Sequence, residues 1–495
     1  MAQRNCFIRL VSAEEKGYNE KVKLFKYFKF EGGIVVKKYL MILTFMLLMF
    51  LGLSSVACGA EEEKPFRVVG YYSEALFDEP VDRLPMDKLT HIMYAFLIPN
   101  ADGTVMPIEK PDQLREMVAK AHANDVAVFI SVGGWSYGTE ALAPRFETIA
   151  ATAENRAVFI QNVLEVVQEY DLDGVELDWE YPQMTSGQVY EDLVVEMSAA
   201  LAKEGKELTA ALNGAWSVED GPEVSKLVSA KCLEAFAFIN VMSYDMNNDN
   251  HSPLWFADTS IGYYTVGRQM PEGKVVLGMP LYAHPSWMQY RQLVEANPQY
   301  AYVDYVPAGE VSTLESYYNG LNTLREKTAL AYRKAGGVML FDVNEDTTDE
   351  YSVLSMIDEV VKDAQAMGRE AFERKVLVFV NNRPLTFKAE ENMGDAFIDE
   401  HDRTLLPLRK PLEALQAEVI YHEQERTVEI SKEDTVVCVT IDSSLITING
   451  EPQEMDTQAI IRDGRTYIPA RAVFEAFGCA VDWHAVSQAI YITQK

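Results

Sequence analysis

The chain has 495 residues, 48% of them hydrophobic and 11% aromatic, which excludes a largely disordered protein and is too long for one ordinary core. With 75 acidic and 44 basic side chains its formal charge is −31, so nucleic acid and anionic membrane are disfavoured as partners. A neutral polymer such as a glycan is compatible with that charge, and so is simple solubility.

Five cysteines are present, Cys6, Cys58, Cys232, Cys438 and Cys479, and their spacing fits neither a zinc motif nor a disulfide framework. Cys438 and Cys479 both fall near the C-terminus and could pair; two unconnected core thiols fit better.

In chain order, the first feature is Lys37 and Lys38 followed by an apolar run from Leu40 to Leu53. Small residues come next, at Ser54, Ser55, Ala57, Gly59 and Ala60. Basic, apolar, then small is the order of a secretory signal, and the run is too short to prefer a membrane-spanning helix. Residues 1–60 are therefore read as an N-terminal extension and signal peptide. Glu31-Gly32-Gly33 could be encoded by a purine-rich ribosome-binding sequence, so translation is expected to start at Val35 or Val36. Ser55 stands where a lipoprotein site would carry Leu, which disfavours lipid anchoring at Cys58. Without residues 1–60 the chain holds 35 basic and 71 acidic side chains.

From Phe66 short apolar runs alternate with helical patterns. The strand candidates are Arg67–Tyr72, Leu89–Leu97, Val126–Val132, Gly174–Glu180, Leu208–Leu212, Ala237–Tyr244, Val275–Leu281 and Gly337–Phe341. Amphipathic helices fill most intervals; in Asn155–Tyr170, for example, Phe159, Val163, Val166 and Tyr170 share a face. The helix between Phe77 and Leu89 is poorly marked. A last helix, Ser352–Phe372, ends the unit. Eight β/α alternations predict a closed (β/α)₈ TIM barrel over residues 65–370.

After Lys375 the pattern changes to short strands and turns, and the chain repeats itself. Arg403-Thr404-Leu405-Leu406-Pro407-Leu408-Arg409 returns as Arg465-Thr466-Tyr467-Ile468-Pro469-Ala470-Arg471, and Val419-Ile420-Tyr421 as Val481-Asp482-Trp483. The predicted second unit, residues 375–495, is a small α+β domain of two copies whose faces need each other for burial.

The chemistry concentrates in Asp173-Gly174-Val175-Glu176-Leu177-Asp178-Trp179-Glu180. Strand side chains alternate, so Glu176, Asp178 and Glu180 share the side facing the barrel axis. Three stacked carboxylates inside a barrel cannot all ionise, and at least one pKa should rise. An acid raised in this way at a strand end suits protonation of a glycosidic oxygen.

This segment resembles the signature of glycoside hydrolase family 18, the chitinase-like family. Ser131-Val132-Gly133-Gly134-Trp135, Met242-Ser243-Tyr244-Asp245, Leu277-Gly278-Met279-Pro280-Leu281-Tyr282 and Gly336-Gly337-Val338-Met339 are similar to its motifs on strands three, six, seven and eight. The resemblance implies a secreted hydrolase of β-1,4-linked N-acetylglucosamine polymers, retaining and substrate-assisted, without a cofactor or metal. Glu180 would be the acid/base, Asp178 would steady the acetamido nitrogen, and Tyr244 would hold the acetamido oxygen. Glu176, Trp135, Met242, Asp245, Tyr282, Phe341, Phe96 and Tyr72 would line the sugar site. Two positions depart from the family. Glu176 stands where it usually has Asp, so the carboxyl should press on Asp178 or fold back. Phe341 stands where it usually has Trp.

Five of the six tryptophans, Trp135, Trp179, Trp216, Trp255 and Trp287, fall at or just after strands three to seven, where a barrel of this type forms its cleft; some are expected only to pack loops. The fifty or so residues between Tyr282 and Gly336 are short for an added cleft domain, so an open or short groove is expected.

The C-terminal copies resemble the copper amine oxidase N-terminal-like, or stalk, domain of secreted bacterial proteins. No copper is implied, and His422 and His484 are read as surface residues. The stalk resemblance and the signal together suggest a bacterial secreted or cell-surface protein, with cell-wall attachment through this domain. The rival reading is a non-catalytic sugar-binding barrel.

Overall fold

The computed structural model describes residues 66–73, 79–246, 250–387 and 394–495. The predicted extension and signal, with Cys6 and Cys58, lie outside the described residues.

Eight parallel strands close into a barrel: β1 Arg67–Ser73, β2 His91–Leu97, β3 Ala127–Gly134, β4 Gly174–Trp179, β5 Glu207–Asn213, β6 Ile239–Met242, β7 Val275–Pro280 and β8 Gly337–Phe341. Neighbours in the barrel are neighbours in sequence, and β8 pairs with β1 from Arg67↔Gly337 to Gly70↔Leu340. Each predicted strand is present. The helices outside form where the apolar period is 3.6. Ala153–Tyr170 is typical: Thr152 accepts from the Asn155 N–H at its start, and left-handed Asp171 ends it. Where the first helix was poorly marked there are two 3₁₀ turns, Val81–Arg83 and Met86–Lys88. The last helix runs Val353–Met367 and breaks at Gly368, whose φ of 80° suits glycine, before a short turn at Arg369–Phe372.

Strand alternation divides the inside of the barrel into two halves. Towards the strand starts it is apolar: Val69, Met93, Phe129, Phe238 and Val276 pack together. Towards the strand ends it is polar: Tyr71, Ser131, Glu176, Asp178, Thr209 and Asn240 are all buried. Cleft residues therefore stand on a packed floor at the C-terminal face. The segment after β7 adds a small sheet, Tyr305–Val306 and His284–Pro285 each pairing with Ser316–Tyr317, with the short helix Tyr290–Ala296 and a 3₁₀ turn at Pro298–Tyr302.

The C-terminal module has its own core, built on Val428, Ile430, Val437, Leu406, Ile468 and Phe474. The two sequence copies pair about a pseudo-twofold. Leu405–Pro407 meets Tyr467–Pro469 antiparallel, and the last strand, Ala489–Gln494, runs parallel to the first, Leu377–Val380. Cys232, Cys438 and Cys479 are all free thiols.

The module is packed onto the barrel, and Pro65–Lys495 forms one compact unit. Helix Leu321–Lys334 carries the joint. Buried Arg333 donates to the carbonyls of Ser487 (2.7 Å), Lys375 (2.8 Å) and Phe372 (3.4 Å). Buried Glu326 accepts from Ser487, Tyr491 and His484. Leu377, Phe379 and Ala489 of the module join the apolar core of the barrel, and Tyr491 packs against it. Replacing Arg333 by Ala removes the guanidinium from all three carbonyls, of which Phe372 O keeps the Lys375 N–H, and should cost about 2–4 kcal/mol. Calorimetry should show the wild-type chain melting in one transition and Arg333→Ala in two; a single unshifted transition would refute the coupling.

Candidate active site

The floor of the cleft is set by β4. Its first acid, Asp173, lies at the strand start and is structural, accepting from the Val128 N–H (2.7 Å) and the His122 ring (2.9 Å). The other three point inward, as the alternation predicts.

Glu176 is 0% exposed and lies below the cleft. Its carboxylate accepts from Tyr71 Oη, Ser131 Oγ (3.0 Å) and Asn240 Nδ2 (2.7 Å). Burial raises its pKa against these three donors. Of the two expected outcomes, pressing on Asp178 or folding back, the side chain takes a cage of its own while its charge still acts on Asp178, and complete enclosure replaces the expected sugar contact. The longer side chain reaches donors on β1, β3 and β6.

Asp178 is 3% exposed, and its Oδ1 is buried with no hydrogen-bond partner among the described residues. Burial, then the charges of Glu180 and Glu176, hold its carboxyl well above the usual range. Glu180, one step nearer the rim, is pushed up to about 7 by burial and then by Asp245, against a hydrogen bond from Tyr181. The two carboxyls interact, so they titrate as a pair.

Room for this arrangement comes from glycine. Gly133 has a φ of 121°, and a Cβ there would stand 2.1 Å from the Asp178 carbonyl oxygen. A Cβ on Gly278 would meet the Tyr244 ring at 2.8 Å.

An aromatic wall faces the acids. Tyr244 and Phe341 stack at 6.4 Å, Phe341 meets Tyr71 at 5.5 Å, and Tyr282 stands edge-on to both Tyr244 and Phe341. Met242 and Phe96 pack against the same interior cluster, and Gly134 faces the Phe96 ring. Trp135, Trp216, Trp255 and Trp287 are exposed. Trp287 stacks on Tyr282 (5.5 Å) and Trp216 on Phe256 (5.4 Å). Trp179 is the exception, buried at the end of β4 against Phe146 of the helix Ala143–Ala150.

Tyr72 is a correction. It points outward, stacks on Tyr94 at 5.8 Å and accepts from Gln113 Nε2. Its neighbour Tyr71 occupies the interior. All of β1 is buried, so its sequence carries no alternation to fix which residues face in.

Asp245 is half-exposed at the rim and accepts on Oδ1 from Tyr282 Oη at 2.7 Å. His251 Nδ1 (3.3 Å) and His284 Nε2 (3.2 Å) face the same oxygen. Burial raises its pKa, but His251, His284 and Tyr282 outweigh that and hold the carboxyl well below the usual range. Lys327, wholly buried, fixes the His251 loop through Ser252 O, Ser252 Oγ and Asn319 Oδ1. Asp245, His251 and His284 are also the group of described side chains that could converge on a cation. Sequence reading missed both histidines because no spacing motif joins them. It also missed Asn240, whose one signal is a polar residue inside an apolar strand.

Residues 67–346 match the sequence model of glycosyl hydrolases family 18, and residues 379–492 that of the copper amine oxidase N-terminal domain. The chain is 32% identical over 230 residues to a probable endochitinase of Caenorhabditis elegans, covering 39% of this chain and 36% of that protein. It is 28% identical over 272 residues to an endochitinase of Manduca sexta, covering 47% of this chain and 48% of that protein. The match thus spans roughly a third to a half of these relatives' length. A family 18 chitinase structure from the chitin utilization locus of Flavobacterium johnsoniae is similar with a TM-score of 0.53 and 29% identity, covering 60% of this chain and 94% of that one. A chitinase-like agglutinin from Robinia pseudoacacia shares the fold at 21% identity and a TM-score of 0.50, covering 59% of this chain and 99% of that one. Barrel, inward-facing acids and the match over residues 67–346 agree: this chain belongs to glycosyl hydrolases family 18, with a copper amine oxidase N-terminal domain behind the barrel.

Proposed function

We propose that the protein is a retaining glycoside hydrolase that cleaves β-1,4-linked N-acetylglucosamine polymers with help from the substrate's own acetamido group. The observation that carries this is the Asp178–Glu180 pair: a carboxyl that keeps its proton near neutrality, beside a buried carboxyl oxygen with no donor. An acetamido N–H is a donor of the size and polarity that Asp178 lacks. Glu180 protonates the leaving oxygen as the glycosidic bond breaks, and the acetamido carbonyl oxygen bonds to the anomeric carbon. Asp178 takes the hydrogen bond of the nitrogen that becomes positive. Glu180, now a carboxylate, accepts a proton from water as water opens the ring intermediate, and the configuration is retained.

Tyr244 bounds the acetamido pocket and Phe341 its floor, with Tyr282 and Asp245 at the rim. Export and surface display are part of this proposal; the Leu40–Leu53 apolar run and the stalk-like module support them. A second reading, glycan binding without hydrolysis, is favoured by one observation. Glu176 is locked in its own cage, so it does not relay a proton to Asp178.

Kinetics and binding separate the readings. On a fluorogenic chitobioside, Glu180→Gln should lower kcat about 10²- to 10⁴-fold with an unchanged melting curve. No turnover by the wild-type chain, with measurable oligosaccharide binding, would establish the second reading. For the wild type, Glu180 is protonated below its pKa, so kcat should fall as pH rises through about 7. The negative charge of Asp245 helps to raise that pKa, so Asp245→Asn should move this alkaline limb to lower pH; a limb that stays in place would refute the electrostatic link. Phe341→Ala removes the floor and should lower kcat/KM roughly tenfold or more.

A further inference from the structure

The C-terminal module carries a groove that the catalytic reading does not use. It encloses about 400 Å³ between the first copy's Asp402–Thr404 corner and the second copy's last strands. Trp483 lies along it, on the edge strand Cys479–His484 opposite Ile490. Val481, two residues earlier on the same face, and Ile490 are buried, whereas the indole is 37% exposed. The ring is thus anchored at its base and wet on its face.

The polar lining is balanced in charge. Arg403 pairs with Asp456, and Arg471 and Asp402 complete the rim. A flat apolar face beside paired donors and acceptors of both signs matches a neutral polyhydroxylated ring: C–H groups lie on the indole, and hydroxyl and amide groups meet the fork of Arg and Asp. An anionic polymer would gain nothing from a balanced groove and would be repelled by a chain of net charge −31.

Part of the set recurs in the repeat, without the acids, since Gly464 and Gly394 stand in the places of Asp402 and Asp456. Tyr421, Arg409 and Arg465 occupy the places of Trp483, Arg471 and Arg403, and Tyr421 is exposed. Arg409 faces Glu413 as Arg471 faces Glu475. Duplicated low-affinity contacts on one module raise retention on a polymer without raising affinity for a short oligomer.

We propose that the Trp483 groove is a second glycan site that holds a neutral chain of β-linked N-acetylglucosamine units apart from the catalytic cleft. The identity of the sugar rests on the hydrolase reading above. The test compares two full chains on insoluble colloidal chitin, both carrying Glu180→Gln to stop hydrolysis and one also carrying Trp483→Ala. The Trp483→Ala chain should be retained roughly fivefold more weakly. Trp483→Phe, which keeps a flat face, should restore most of the binding. With Glu180 present, Trp483→Ala should turn over the soluble chitobioside at the wild-type rate. Equal retention of Trp483→Ala and its parent would overturn the site, as would tighter retention on an anionic wall polymer than on chitin. Absent turnover of the soluble substrate by the wild-type chain would overturn the hydrolase reading alone, because retention is measured without hydrolysis.

Discussion

A carboxyl group inside a closed barrel needs donors or a proton, and the arrangement of this site follows from how three of them divide those two solutions. Glu176 takes the donors: Tyr71, Ser131 and Asn240 reach it from three different strands. Asp178 and Glu180 are left with few, and both are raised by burial and by the charges around them. If Glu176 stood free beneath Asp178, its charge would act undiluted on the pair. Caged, its charge still acts on Asp178, but burial is the larger cause for both upper carboxyls, with Glu180 adding to it at Asp178 and Asp245 adding to it at Glu180.

That electrostatic state depends on close approach of backbones. Gly133 lets β3 run against the Asp178 carbonyl, and Gly278 lets the Tyr244 ring lie flat over β7. The motif glycines are there for space. The rim is built differently. Asp245 is kept ionised by the donors that converge on its Oδ1, and their loop is pinned by a wholly buried lysine. One charge held low at the rim therefore helps to hold another high at the floor.

What could be read in advance follows the same physics. The barrel was legible because eight apolar runs alternate with helical periods, and β4 was legible to the residue because its carboxylates alternate with Val175 and Leu177. In β1 every residue is buried, so the pattern gave no inward face and Tyr72 was taken where Tyr71 belongs. Trp179 and Trp135 each close a strand, yet one packs on Phe146 and the other is exposed, a difference made by helix packing that sequence does not show. The His251–His284 pair is assembled by two loops on different strands. Only the folded chain brings them to Asp245.

The joint between the two parts sets buried polar groups beside an apolar contact, in which Leu377, Phe379 and Ala489 join the barrel core. Arg333 and Glu326, both buried on one helix, satisfy carbonyls and hydroxyls of the module rather than one another. If the module leaves, Glu326 loses its partners and Arg333 keeps only the Phe372 carbonyl, so the cost of a stranded buried charge falls on the barrel helix itself. The module cannot open piecemeal either, because its last strand completes the sheet begun by its first. The consequence is that separation and module unfolding are both expensive, which makes the module a fixed extension of the barrel rather than a tethered one. A binding surface on such an extension acts on a polymer at a set distance from the barrel, whereas a flexible linker would average that distance away.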